Sequence, residues 1–134
     1  MKDKIMEQMF LIKGNPIPLA RPRFGRDHIY DSQKKEKYAY ALQLRAQMKD
    51  KPLFEGPLLL TVEFGIKIPQ KDHKKNSHPC IKRPDLSNLI KFIEDAALGI
   101  LYKDDCIITE IRASKVCAIE PYTKLILSAL LPSH

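Results

Sequence analysis

Apolar positions along this chain change their spacing from segment to segment, and each change marks an element. Leu60, Val62, Phe64, Ile66 and Ile68 alternate with Thr61, Glu63, Gly65 and Lys67, the two-residue period of a half-buried strand. Pro69 ends it. Met9 to Lys13 reads as a shorter strand closed by Gly14-Asn-Pro-Ile-Pro. From Asp85 to about Leu101 the period turns helical. Leu86, Leu89, Ile90, Ile93, Ala97 and Ile100 fall on one side at about 100° per residue, while Asp85, Asn88, Lys91 and Asp95 gather on another. An earlier helix, capped by Asp31 or Ser32, is expected to run to about Asp50, with Tyr38, Ala41, Leu42 and Met48 as its apolar side. Prolines 52 and 57 break it. Tyr102-Lys-Asp-Asp reads as a turn into a strand over Cys106 to Cys117, and a last strand covers about Lys124 to Leu131.

These elements give the order β-α-β-α-β-β. The expected fold is α/β of the α+β-like kind: a single domain over residues 1–134, with a mixed sheet covered by two main helices. The last two strands follow each other closely, which predicts a C-terminal hairpin. At 134 residues the chain can bury a core without disulfides or a structural metal. The segments between elements are polar. Leu19-Ala-Arg-Pro-Arg-Phe-Gly-Arg is an extended basic loop, and residues 70–84 carry Lys71, Lys74, Lys75, Lys82 and Arg83 in a stretch expected to be mobile.

Charge narrows the classes of partner. The formal net charge is +7 and the pI about 9.3, which favours a polyanionic partner such as nucleic acid or an acidic lipid surface. No apolar run reaches transmembrane length, and the charged Met1-Lys-Asp-Lys-Ile start is unlike a signal peptide. Cys80, Cys106 and Cys117 form no CxxC pair, and an odd count fits reduced thiols in a cytoplasmic protein. His73, His78 and Cys80 lack the second ligand pair of a zinc site.

The candidate chemistry lies on the polar stripe of the second helix and just beyond it: Asp85, Asn88, Lys91 and Asp95, then Asp104 and Asp105. One or two carboxylates with retained waters suit a hard cation such as Mg²⁺, and a cation beside a lysine suits phosphodiester chemistry. Each residue also has a plainer role. Asp85 is placed to cap a helix, Asp104-Asp105 to make a turn, and Lys91 with Asp95 to form a surface ion pair.

The run from Lys82 to Ile108, Lys-Arg-Pro-Asp-Leu-Ser-Asn-Leu-Ile-Lys through Tyr-Lys-Asp-Asp-Cys-Ile-Ile, resembles the central motif of the RusA family of Holliday junction resolvases. That motif reads as an aspartate, a hydrophobic residue, a second aspartate, Asn-Leu, then a lysine, with a later Asp-Asp opening a strand. Gly14-Asn-Pro-Ile-Pro and the following Arg-Pro-Arg-Phe are similar to the family's N-terminal loop, and Ser114-Lys115 falls where a strand lysine is common. The resemblance implies a homodimeric endodeoxyribonuclease of recombination and repair that cuts four-way DNA junctions with Mg²⁺, or with Mn²⁺ in its place. It implies metal-binding carboxylates at Asp85 and Asp105 and a functional lysine at Lys91. Ser87, Asn88, Asp95 and Asp104 are supporting positions, and Arg21, Arg23, Lys82 and Arg83 phosphate contacts.

Ser87 stands where the family carries its second motif acid. Loss of that charge implies weaker Mg²⁺ binding, with a water held by the hydroxyl keeping the shape of the site. Glu94 lies two turns from Ser87 on the helical wheel, too far to take its place; Glu63 on the neighbouring strand is the other carboxylate to consider. The alternative expectation is a RusA-like protein that holds branched DNA with weakened or lost cleavage. A third reading is a basic RNA-associated or protein-binding module.

Overall fold

The structure is a computed structural model that describes residues 7–20, 23–25 and 29–130, with backbone only at 23–24 and 29–30. Its strands are β1 (Glu7–Lys13), β2 (Arg23–Phe24), β3 (Ile29–Tyr30), β4 (Leu58–Lys67), β5 (Ile108–Ala118) and β6 (Tyr122–Ala129). Its α-helices are α1 (Lys34–Met48) and α2 (Leu86–Ala97). Without the two-residue β2–β3 ribbon, the order is the expected β-α-β-α-β-β. The main sheet runs β1-β6-β4-β5 and is mixed: β4 pairs parallel with β5 and antiparallel with β6, and β6 antiparallel with β1.

The expected C-terminal hairpin does not form. β5 and β6 flank β4 instead of pairing with each other, and residues 119–121 step across its end. β4 is the most apolar strand, burying Leu58, Leu60, Val62, Phe64 and Ile66, so the arrangement that places it centrally covers the most apolar surface. The far edge of β5 is then occupied by residues 77–80: Ser77 N–H donates to Cys117 O (2.7 Å), Cys117 N–H to His78 O (2.8 Å) and Cys80 N–H to Lys115 O (3.1 Å). Residues 70–84 are therefore not a loose loop, because they form a 3₁₀ turn over Gln70–Lys75 followed by this edge pairing.

Both helices lie on one side of the sheet. α1 buries Tyr40, Leu44 and Met48; of the expected face Met48 is buried, but Tyr38 and Leu42 are exposed. Its N-cap is Gln33 rather than Asp31 or Ser32, and no side chain caps it. The Gln33 amide instead accepts from Ala20 N–H (2.9 Å) and donates to Pro18 O (2.9 Å), tying the N-terminal loop to the start of α1. Asp31 still serves the helix entrance: it accepts from Gln33 N–H (2.9 Å) and from Lys37 Nζ (2.7 Å), which hold its carboxyl below the usual aspartate range.

Gln43 and Gln47, one turn apart on α1, cover the outer edge of β1. Gln47 accepts from Leu11 N–H (2.9 Å) and donates to Leu11 O (2.7 Å); Gln43 accepts from Lys13 N–H (3.0 Å) and donates to Lys13 O (3.3 Å). Two side-chain amides thus satisfy the backbone groups that a neighbouring strand would have taken, which blocks this edge against strand addition.

α2 buries Leu89, Phe92, Ile93, Ala96 and Ala97. Its Phe92 ring meets Tyr40 of α1 edge to face, 5.2 Å between centroids at 85°. The helix ends at Ala97, four residues before Leu101, because Gly99 takes φ +82° and turns the chain. Leu101 and Tyr102 then enter the core as part of that turn.

Candidate active site

Asp85 is the N-cap of α2, yet its side chain makes no capping hydrogen bond. The plain role for this residue is therefore not taken up, and its carboxylate is exposed beside Arg83, at 3.7 Å. The loop that delivers it is held from below. Lys115, on the helix-covered side of β5, donates from Nζ to Lys82 O (2.5 Å) and Pro84 O (2.8 Å). One ammonium thus fixes the backbone on both sides of Arg83, immediately ahead of Asp85. The sequence resemblance gives Lys115 no role; here it positions the loop. Lys115→Met is expected to loosen this loop and to cost about 1–3 kcal/mol of stability, since two carbonyls lose a charged donor. Urea denaturation checks this, and Lys115→Arg should recover part of the loss.

Down the exposed stripe of α2 come Ser87, Lys91 and Asp95, with Asn88 and Glu94 half-buried. Asn88 contributes its backbone: its carbonyl accepts from Leu19 N–H (2.9 Å). That bond seats the N-terminal loop against the first turn of α2, two residues before Arg21. Arg21 lies outside the described residues, and of Arg23 only the backbone, in β2, is described. Lys82 and Arg83 are both exposed on the loop clamped by Lys115.

Asp105 opens the 3₁₀ turn Asp105–Ile107 that leads into β5, and it is exposed. Its neighbour Asp104 is occupied in that turn, accepting from Cys106 N–H (2.9 Å), which holds its carboxyl below the ordinary range. The two aspartates therefore divide the work, Asp104 shaping the turn and Asp105 presenting a carboxylate. Asp95 is also engaged: Lys37 of α1 lies 3.4 Å from it while holding Asp31 at 2.7 Å. This ties α1 to α2 and replaces the Lys91–Asp95 pair that the spacing suggested.

Glu94 is the residue whose surroundings the helical wheel could not supply. Burial lifts its carboxyl above the ordinary range, and the negative charges of Asp105 and Asp95 lift it further, against an opposing pull from Lys91. Lys91, Glu94 and Asp105 therefore share one electrostatic neighbourhood. Glu94 lies nine residues beyond Asp85, about 13 Å further along the helix. Glu63 is excluded as a substitute ligand. It lies on the sheet face away from the helices, accepting from Tyr122 Oη (2.5 Å), and Lys124 is 3.9 Å away.

The donors at the head of α2 and in the 105–107 turn are exposed carboxylate oxygens. Among the described residues no three His, Cys, Asp or Glu side chains converge to enclose an ion. Exposed carboxylate oxygens are the donor type that a hard divalent cation takes.

A family model described as endodeoxyribonuclease RusA matches residues 13–127, from the end of β1 to the inner part of β6. The chain belongs to the RusA endodeoxyribonuclease family. It is also similar to YqaN of Bacillus subtilis (strain 168), an uncharacterized protein, with 25% identity over 132 residues covering 88% of this chain and 93% of that one. The RusA match includes α2, the clamped loop before it and the Asp104-Asp105 turn, so these elements belong to the family's own architecture. No helix among the described residues is long and apolar enough to cross a membrane.

Proposed function

We propose that this RusA-family protein is a Mg²⁺-dependent, structure-selective endodeoxyribonuclease. It cuts four-way DNA junctions as a homodimer, in the cytoplasm, during recombination and repair. The observation that carries the reading is the exposed Asp85 carboxylate at the head of α2, which makes no capping bond, in a chain matched to the family over residues 13–127. Asp85 and Asp105 hold the ion, for which Mn²⁺ can substitute. When bound, the ion supplies Lewis acidity toward the phosphodiester and lowers the pKa of an attacking water. Lys91 offsets charge that develops on the phosphoryl oxygens. Arg21, Arg23, Lys82 and Arg83 bind backbone phosphates and orient the junction without reading its sequence.

Ser87 favours a second reading, a protein that holds branched DNA and cuts it weakly or not at all. With a serine at an exposed position on the first turn of α2, the site lacks one negative charge that would attract the cation. The two readings separate in a junction-cleavage assay across Mg²⁺ and Mn²⁺ concentrations with wild type and Ser87→Asp. An active nuclease cuts as wild type, and Ser87→Asp shifts its Mg²⁺ requirement downward. A binding protein is silent at all metal concentrations and gains cutting only with the added carboxylate. Silence of both proteins on every branched substrate would sink the nuclease assignment.

A further inference from the structure

Where the first turn of α1 meets the last turn of α2, the surface carries an open hollow of about 520 Å³. Ala41 of α1 and Ala96 of α2 form its floor, and neither side chain is large enough to fill it. Lys37 fixes its back, since one ammonium holds Asp31 at 2.7 Å and Asp95 at 3.4 Å across the two helices. The Tyr38 ring stands at one side, 66% exposed. Lys34 and Lys35 complete the rim, both exposed. Among the described residues neither lysine has an ion-pair partner.

We infer that this hollow takes one unpaired nucleotide of a DNA strand. The base stacks on Tyr38 over Ala41 and Ala96, and the flanking phosphates meet Lys34 and Lys35. This site rests on the DNA-processing function above and adds a substrate feature to it, a base out of its pair beside the candidate active site.

Charge selects the strand. The acids lining the hollow are Asp31 and Asp95, and Lys37 engages both. Lys34 and Lys35 therefore stand as surplus positive charge at the rim, a match for two phosphates. Glu36, the other acid of this turn, lies about 200° around the helix from Lys34. The ring selects an unpaired base. Tyr40, not Tyr38, is the tyrosine that α1 buries, so Tyr38 keeps an open aromatic face on the same side of the helix as Lys34 and Ala41. Bases stack on such a ring whatever their identity, whereas in a duplex both faces of each base are covered by its neighbours.

Position ties the hollow to the candidate active site. Asp95, on its wall, also ends the polar stripe that begins at Asp85 and passes Lys91. Asp85 and Asp95 are about 15 Å apart along α2, or about four steps of B-form rise. A strand engaged at Asp85 thus reaches Tyr38 within a few nucleotides, the distance over which a branch point can supply a base that has left its stack. Such a base costs least to seat, because it is already unstacked.

The test is binding of the full chain, without divalent metal, to a fluorescent single-stranded oligothymidylate and to the same sugar–phosphate strand built of abasic units. Wild type should bind the oligothymidylate at least tenfold more tightly than the abasic strand. Tyr38→Ala should bind the oligothymidylate about tenfold more weakly than wild type, the effect of losing one base–aromatic stack, and should bind the abasic strand equally well. Tyr38→Phe, which keeps the ring, should match wild type, and Tyr38→Leu should resemble Tyr38→Ala. Replacing Lys34 and Lys35 together by Gln should reduce the slope of log affinity against log salt by about 1.4, the share of two single-strand phosphate contacts. Thermal melts should be unchanged in all four variants. No preference of wild type for the strand with bases, full binding by Tyr38→Ala, a Tyr38→Phe as weak as Tyr38→Ala, or an unchanged salt slope would each overturn the site. Junction cutting by wild type is measured separately. Cutting without a Tyr38 effect on the oligothymidylate leaves the nuclease function standing and removes the hollow; a Tyr38 effect in a chain that cuts nothing does the reverse.

Discussion

Asp85→Asn should reduce junction cutting by on the order of 10³-fold while leaving junction binding nearly unchanged. The substitution keeps size and hydrogen-bonding capacity but removes the negative charge. Because the Asp85 side chain makes no capping bond, and its ion pair with Arg83 at 3.7 Å is solvent-exposed and worth little, the melting temperature should move little. The expected size follows from the several kcal/mol of charge stabilisation that a bound metal supplies, at about 1.4 kcal/mol per factor of ten in rate. Single-turnover cleavage and a gel-shift titration, run side by side at fixed salt, separate the two effects. Equal cutting by Asp85→Asn and wild type in Mg²⁺ would remove Asp85 from the mechanism. Parallel loss of binding and cutting would instead make it a DNA contact.

The largest expected loss of stability is at Phe92. Its side chain is 1% exposed and its ring packs edge to face on Tyr40, at the contact between the two helices. Phe92→Ala removes the buried ring and leaves a cavity between α1, α2 and the sheet, for a loss of about 3–5 kcal/mol. A domain of this size has only about 5–15 kcal/mol in total, so the variant should be partly unfolded near physiological temperature. Urea denaturation followed by far-ultraviolet circular dichroism gives the value directly. A loss below about 1 kcal/mol would mean that the helices close over the gap or that this contact is not central to the core. The same substitution should disturb the candidate site indirectly, since α2 carries those residues on its opposite side.

The two experiments probe opposite sides of one helix, in which the core face and the candidate site are encoded together. Residues 85–97 place Leu89, Phe92, Ile93, Ala96 and Ala97 in the core and leave Asp85, Ser87, Lys91 and Asp95 at the surface. The helical period alone separates those groups, so the apolar face, the polar stripe and the family motif are legible without coordinates. The match over residues 13–127 bears out the family resemblance drawn from the same stretch.

Local pattern was less informative wherever a residue's role depended on a distant partner. Tyr38 and Leu42 look as suitable for burial as Tyr40 and Leu44, and α1 is a weakly patterned helix. Its rotation was settled by the edge of β1, which Gln43 and Gln47 had to meet, and by Phe92 against Tyr40. Asp104 and Asp105 are chemically identical in sequence, and only the turn geometry commits Asp104 to Cys106 N–H and leaves Asp105 free of that bond. Asp95 was claimed by Lys37, 58 positions away. Lys115 found its carbonyl acceptors more than 30 residues back.

By itself, then, the sequence determined the order of the main elements, the faces of β4, the two-sided α2 and the family, because those depend on periods of two and 3.6 residues and on a contiguous motif. Tertiary structure decided the rest: β4 rather than β6 beside β5, the rotation of α1, the clamp from Lys115 and the neighbourhood of Glu94 and Asp105. Each of these is a competition among pairings of similar local merit, and it is resolved by burying the most apolar strand at the centre and satisfying the polar groups that remain.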